Sequence, residues 1–238
     1  EFWQRKQQAH PKKSKFIQTD EGFRIDFSGN YGPDLMEEIK NYAVVAEIIA
    51  RDHAFDLIHS HDWLTYRAGI AARKISGKPL IIHVHATDFD RSGGSVNPRV
   101  YAMEREGMEM ADKIIAVSQL TRQTIIEKYH IPPEKIEVIY NAVEPEPKGK
   151  NRLRISKRKG EKVVTFLGRI TTQKGPGYFL EAAYLVLKKM EHVRFVMAGS
   201  GDKMTEMIKR VAELGIADKF HFTGFLEGED VSRMYHLT

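Results

Sequence analysis

Arg169 and Lys174 stand five positions apart in the run Phe166-Leu-Gly-Arg-Ile-Thr-Thr-Gln-Lys-Gly175, where an apolar stretch breaks at Gly168 and a helix is expected from Pro176. Two cations, the amides of a helix start and the positive end of its dipole together suit a diphosphate. As scattered surface cations they would need no explanation. At a strand end and beside a Gly-Pro helix start they point to an anion, and so to a nucleotide-linked substrate.

Other polar groups follow other apolar runs. His61-Asp62-Trp63 closes the run 55–61, and His85 to Arg91 follow 80–85. Ser118 ends 113–118, Asn141 follows 135–140, and Gly199, Gly201 and Asp202 follow 193–199. Between these runs the apolar residues recur at helical spacing, as in Leu35, Ile39, Tyr42, Ala46 and Ile49 behind a capping box at Asp34 and Glu37. Helices are expected over 34–51, 65–76, 98–111, 119–129, 176–190 and 203–214, and from Glu229 onward.

Apolar strands alternating with helices imply an α/β fold with parallel sheets covered on both faces. The expectation is two Rossmann-like, doubly wound domains, 1–147 and 162–238, joined by a basic connector at 148–161. Four strands before the connector and three after it fall short of the five or six usual in such domains, so both are expected to be incomplete. The chain then reads as an internal piece of a longer protein.

Ligands of open parallel sheets collect at the carboxyl ends of the strands. That rule gathers Asp62, Asp90, Arg91, Ser118, Asn141, Gly168, Gly199 and Gly201 as candidate substrate-binding residues. Gly199-x-Gly201 serves equally well as a plain strand-to-helix turn and lacks the third glycine of a dinucleotide fingerprint. Arg91-Ser-Gly-Gly-Ser95 fits an acceptor loop or a connector, and Asp88 and Asp90 fit helix caps or partners of sugar hydroxyls. Of His83 and His85, the sequence reading lets only one face the crevice, and position favours His85. The histidines show neither the spacing nor the partner carboxylates of a zinc site, so no metal is expected. Met103, Met108 and Met110 read as helix core.

Composition narrows the classes. At 42% hydrophobic, 238 residues can build a sizeable core. No apolar run approaches the roughly 20 residues of a membrane span, and Lys12, Lys13 and Lys15 lead into no signal-like apolar stretch. The absence of cysteine excludes disulfides and thiolate chemistry and fits a cytoplasmic address. Residues 148–162 hold eight Lys or Arg against Glu161 alone, which turns a net charge of +5 into −2 for the rest of the chain. A basic excess packed into one connector is not the distributed patch that nucleic acid needs.

In this order and spacing the motifs resemble the retaining glycosyltransferases of the two-Rossmann-domain (GT-B) architecture, in the large family that includes bacterial and archaeal glycogen and starch synthases. Phe55-Asp-Leu-Ile-His-Ser-His-Asp-Trp-Leu-Thr65 is similar to the synthase segment ending in His-Asp-Trp. Ile114-Ile-Ala-Val-Ser118 and Val138-Ile-Tyr-Asn-Ala-Val143 are similar to the end of the acceptor domain, and Phe166 to Gly175 to the donor-side signature. The resemblance implies a hexosyl donor such as ADP- or UDP-glucose, its diphosphate held by Arg169 and Lys174, with His85 near the transferred sugar. It implies a carbohydrate acceptor, retention of configuration and no metal or other cofactor.

By the same resemblance, a glycine-rich donor loop belongs before residue 1 and a pair of glutamates seven apart beyond Thr238. Tyr140-Asn-Ala-Val-Glu144 replaces the Asn-Gly-Val-Asp frequent in the family. A sugar-nucleotide epimerase would use the same phosphate grip with His85 and Asp62 as acid and base, and a relative that has lost catalysis would bind without turnover. A nicotinamide oxidoreductase is disfavoured for want of its glycine fingerprint.

Overall fold

In the computed structural model, which describes residues 15–18, 24–27, 35–143 and 160–238, the local rules that set each element are visible at its ends. Asp34 of the expected capping box and most of the basic connector lie outside the described residues. The described chain falls into two compact units, the first taking the described residues up to Asp90 and 94–143 and the second residues 91–93 and those described after 143.

The first unit opens with two short antiparallel strands, β1 (Lys15–Gln18) and β2 (Arg24–Phe27), which sequence reasoning did not assign. Helix α1 (Leu35–Asp52) carries Glu37 and Glu38 in its first turn and Arg51 in its last, matching the helix dipole. There follow β3 (Ile58–His61), α2 (Trp63–Ser76), β4 (Leu80–Val84) and the five-residue α3 (Asp88–Ser92). Next come α4 (Pro98–Met110), β5 (Lys113–Ala116), α5 (Gln119–Tyr129) and β6 (Ile136–Val138). Gly77, in the left-handed conformation, closes α2, and Asn97 caps α4 by accepting from the Arg99 amide at 3.0 Å with Pro98 first in the helix.

Strands β3 to β6 pair in parallel in sequence order, with Ile58 beside Leu80 and His61 beside His83. A sheet that grows in one direction through right-handed crossovers puts every crossover helix on the same face. The burial follows suit. Leu80, Ile82, Val84, Ile114 and Ala116 are buried against Tyr66, Ile70, Met103, Met108, Ile125 and Tyr129 of the helices. Each such aliphatic side chain contributes about 1.5–3 kcal/mol by its removal from water.

The opposite face holds the exposed His59, His61 and Glu137 and the half-buried Ile81 and Ile115. The expectation of helices on both faces is therefore corrected for this sheet among the described residues. Arg73 ties the edge of the layer together, donating to the Met110 carbonyl and to Asp112 Oδ1 at 2.8 Å, while Asp112 Oδ2 accepts the Leu80 amide at 2.8 Å.

The second unit runs β7 (Lys162–Leu167), α6 (Pro176–Leu187), β8 (Val193–Ala198), α7 (Met204–Glu213), β9 (Phe220–Gly224) and α8 (Glu229–Leu237). Its parallel sheet has the order β7-β8-β9. Helices α6 and α7 share one face, where Phe195 and Met197 meet Leu180, Ala183, Met207 and Val211. Helix α8 crosses to the other face, and Met234 and Leu237 pack on Val163, Val196 and Ala198. No described helix is long and apolar enough to cross a membrane.

Candidate functional site

In the first unit the polar residues converge on the carboxyl ends of β3 and β4. Asp62 follows β3 with φ 57°, a left-handed conformation that an aspartate tolerates better than most residues. Its amide donates to the His83 carbonyl at 3.0 Å, and its Oδ1 accepts the amides of His85 at 2.8 Å and Ala86 at 3.5 Å. The carboxylate thus fixes the backbone that carries His85.

Residues two apart in a strand point to the same side, and neighbours in register do likewise. His59, His61, His83 and His85 consequently share one face, which corrects the expectation that His83 and His85 look opposite ways. The rings of His83 and His85 stack at 4.2 Å between centroids, and His61 Nδ1 lies 3.0 Å from His85 Nε2. Only one of those two nitrogens carries the shared proton, so His61 sets the tautomer of His85.

Both ring nitrogens of His83 are shut away from solvent and have no partner among the described residues. Burial first, and then the neighbouring His85, His61 and His59, push its pKa down to about 4, with Asp62 opposing. His59 is lowered likewise, by burial and then by His61 and His85. The unfolded chain binds a proton at His83 from about pH 6.5 downward while the folded chain resists it to about pH 4. Stability is therefore full above pH 6.5 and falls as the pH drops through that window. Thermal melts between pH 7 and pH 5 should show the melting temperature of the first unit falling, and a His83→Gln variant should flatten that slope.

A buried network holds the loop after β4. Tyr129 donates to Glu104 Oε2, the same oxygen that accepts the Asp88 amide at 3.2 Å, and Asp88 Oδ2 accepts the Asn97 amide at 2.6 Å. Burial, and next the Glu104 carboxylate, raise the Tyr129 pKa, so the phenol stays protonated and donates. Tyr129→Phe deprives a buried carboxylate of a donor and should cost about 1–3 kcal/mol in chemical denaturation. Asp90 Oδ2 accepts from the Thr87 amide at 2.7 Å and from its hydroxyl at 2.9 Å, so Asp88 and Asp90 both make cap-type bonds. Arg91 is half-buried in α3. The Ser118 hydroxyl caps α5 at the Thr121 amide, 3.0 Å away, and Asn141 is exposed beyond β6.

In the second unit the chain leaves β7 through Gly168, whose amide donates to the Ala198 carbonyl at 2.9 Å. The next side chain, Arg169, is exposed and among the described residues donates to the neutral Gln173, at 3.3 Å. Ile170 is buried, its amide on the Ser200 carbonyl and its carbonyl on the Lys203 amide. A 3-10 turn over Thr172–Lys174 then delivers the exposed Lys174 to Gly175, which enters α6 in the left-handed conformation. Among the described residues neither cation joins an ion pair, whereas Lys203 and Arg210 are committed to Glu206 and Glu181.

The loops after β7 and β8 lie backbone against backbone. A Cβ at position 199 would be driven into the Gly168 carbonyl, and one at 201 into the Ile170 carbonyl. Close approach, then, is what Gly199 and Gly201 provide. A cleft of about 510 Å³ between α6 and α7 is lined by Thr172, Gly175, Lys203 and Arg210 but by neither Arg169 nor Lys174. Its paired rim charges make it a poor anion site.

Strand β7 lies at one edge of the second sheet, and the loop bearing Arg169 and Lys174 leaves its carboxyl end, where open parallel sheets bind ligands.

Sequence reasoning passed over His59 and His61 as site residues. The signal was present as His-x-His in two successive strands, which parallel pairing in register brings side by side. Nitrogen atoms of His59, His61 and His83 all lie within 4.8 Å of one another, a set that spacing along the sequence does not bring together.

Comparison with known proteins matches residues 23–147 to the profile of Glycosyltransferase Family 4 and residues 147–238 to that of glycosyl transferases group 1. An uncharacterized glycosyltransferase of Methanocaldococcus jannaschii is 30% identical over 193 residues, covering 76% of this chain and 49% of its own. A D-inositol 3-phosphate glycosyltransferase of Thermobispora bispora is 29% identical over 184 residues, covering 69% and 43%. The chain thus spans about half the length of these relatives. Among solved structures, sucrose-phosphate synthase from Thermosynechococcus elongatus superposes with a TM-score of 0.72 at 16% identity over 96% of this chain and 61% of its own. Anabaena HepE in complex with UDP and glucose gives 0.59 at 20% identity over 83% and 54%. At such identities the structural matches speak for the fold.

Proposed function

The chain belongs to Glycosyltransferase Family 4, and from that premise we propose that the whole protein moves a hexosyl group, glucose by preference, from ADP- or UDP-glucose to a carbohydrate acceptor with retention of configuration. The observation that carries the donor assignment is the loop after β7, where two cations free of ion pairs among the described residues stand between the carboxyl end of a parallel strand and the start of α6.

In this reading Arg169 and Lys174 bind the diphosphate and offset the charge that grows on it as the anomeric carbon–oxygen bond breaks. The bonding pair leaves with the diphosphate. The acceptor oxygen bonds to the anomeric carbon from the same face, and its proton passes to the departing phosphate oxygen. His85, oriented by His61 and by the Asp62 carboxylate on its amide, hydrogen-bonds the transferred sugar. Ser118 and Asn141 lie on the acceptor side. The cations do the work that a magnesium ion does in other transferases, so transfer runs without a metal.

The test is to incubate full-length protein with UDP- and ADP-glucose, with and without sugar acceptors, in the presence of EDTA. Nucleoside diphosphate release that depends on acceptor, with a product of unchanged anomeric configuration by NMR, is the expected result. Epimer formation without acceptor would replace this reading with the epimerase, and silence across a panel of sugar nucleotides would leave a non-catalytic binding protein.

A further inference from the structure

We propose that His59, His61 and His83 form a binding site for one late first-row divalent cation such as zinc, on the open face of the first sheet and beside His85. Three imidazole nitrogens within 4.8 Å of one another come from two adjacent parallel strands, a rigid base on which the ligands cannot drift apart. Points no farther apart than that lie at most about 2.8 Å from a common centre. Zinc–nitrogen bonds of about 2.0–2.1 Å then need side-chain shifts of roughly 0.7 Å, within the reach of ring rotation.

A second observation points the same way. His83 presents two buried nitrogens with no hydrogen-bond partner among the described residues, a costly state for a polar group. Coordination would satisfy one of them. Imidazole donors with no thiolate and no carboxylate in the set favour zinc, copper or nickel over magnesium or calcium. The fourth position would be left to water, with His85 standing beside the triad.

The experiment uses full-length protein freed of metal with EDTA and titrated with Co²⁺, whose four-coordinate complexes absorb in the visible. The expected result is a d–d band saturating at one cobalt per chain and abolished by equimolar Zn²⁺. His59→Gln, at an exposed position on which the core does not depend, should weaken cobalt binding at least about tenfold. His221→Gln, on the exposed part of β9, should bind as the wild type does. No band, or a band unaltered by His59→Gln, would overturn the site. The readout needs no catalysis, so it stands or falls apart from the transferase reading.

Discussion

Arg169→Ala is expected to lower sugar transfer by the full-length protein about 10²–10³-fold, the scale set by removing one preorganised donor from a developing oxyanion. Most of the loss should fall on kcat rather than KM, because the charge on the diphosphate is greatest as the sugar departs. The side chain is exposed and, among the described residues, bonds to neutral Gln173 and to no carboxylate that would compete for its charge. Burial contributes little to its role, and the variant should fold. Arg169→Lys keeps the charge but loses the planar fork and should recover only part of the rate. Steady-state kinetics with UDP- and ADP-glucose decide the matter, and an unchanged kcat in Arg169→Ala would remove this residue from the donor site.

Gly199→Ala should strongly destabilise the second unit, although it adds a single methyl group. The added carbon meets the Gly168 carbonyl, a piece of backbone that cannot swing aside, and φ at position 199 is 145°, which side chains rarely adopt. Backbone strain and overpacking together put the cost at about 3 kcal/mol or more. Against a typical domain stability of about 5–15 kcal/mol, that corresponds to a fall of about 10 °C or more in melting temperature for a unit of this size. Gly177→Ala is the matched comparison. Its Cβ meets nothing within 4 Å inside α6, so it should leave stability equal or raise it by up to about 1 kcal/mol. A Gly199→Ala melt within 2 °C of wild type, roughly the noise of such shifts, would contradict the account of the two loops.

Much of this architecture was legible because its signals are local. Asn97-Pro98 opens α4 where a cap and a proline should open it, Gly77 closes α2, and α5 runs from Gln119 to Tyr129 as its spacing predicts. The glycine-broken strand end that delivers Arg169 was equally plain. Features that depend on pairing were not. The ladder of β1 and β2 joins segments of four residues each, too short to show a period. Helix α3, at five residues, is hidden for the same reason.

Some side-chain contacts were not legible. Ser118, a candidate ligand from its place after a strand, also caps α5 through its hydroxyl. Asp62, a candidate substrate group, also places one oxygen on the backbone of the next loop. The histidine face needed both the two-residue period and the register of β3 against β4, and the second of these no single segment contains.

The direction in which each sheet grows also sets when it can form. In the parallel sheet of the first unit β4, β5 and β6 each pair with the strand made just before, Ile58 with Leu80 and Ile114 with Ile136, so each βα unit can dock as it leaves the ribosome. Contacts so near in sequence make for fast, stepwise folding. The second unit follows the same rule, β7 with β8 and β8 with β9, so its sheet too can extend strand by strand as it is made.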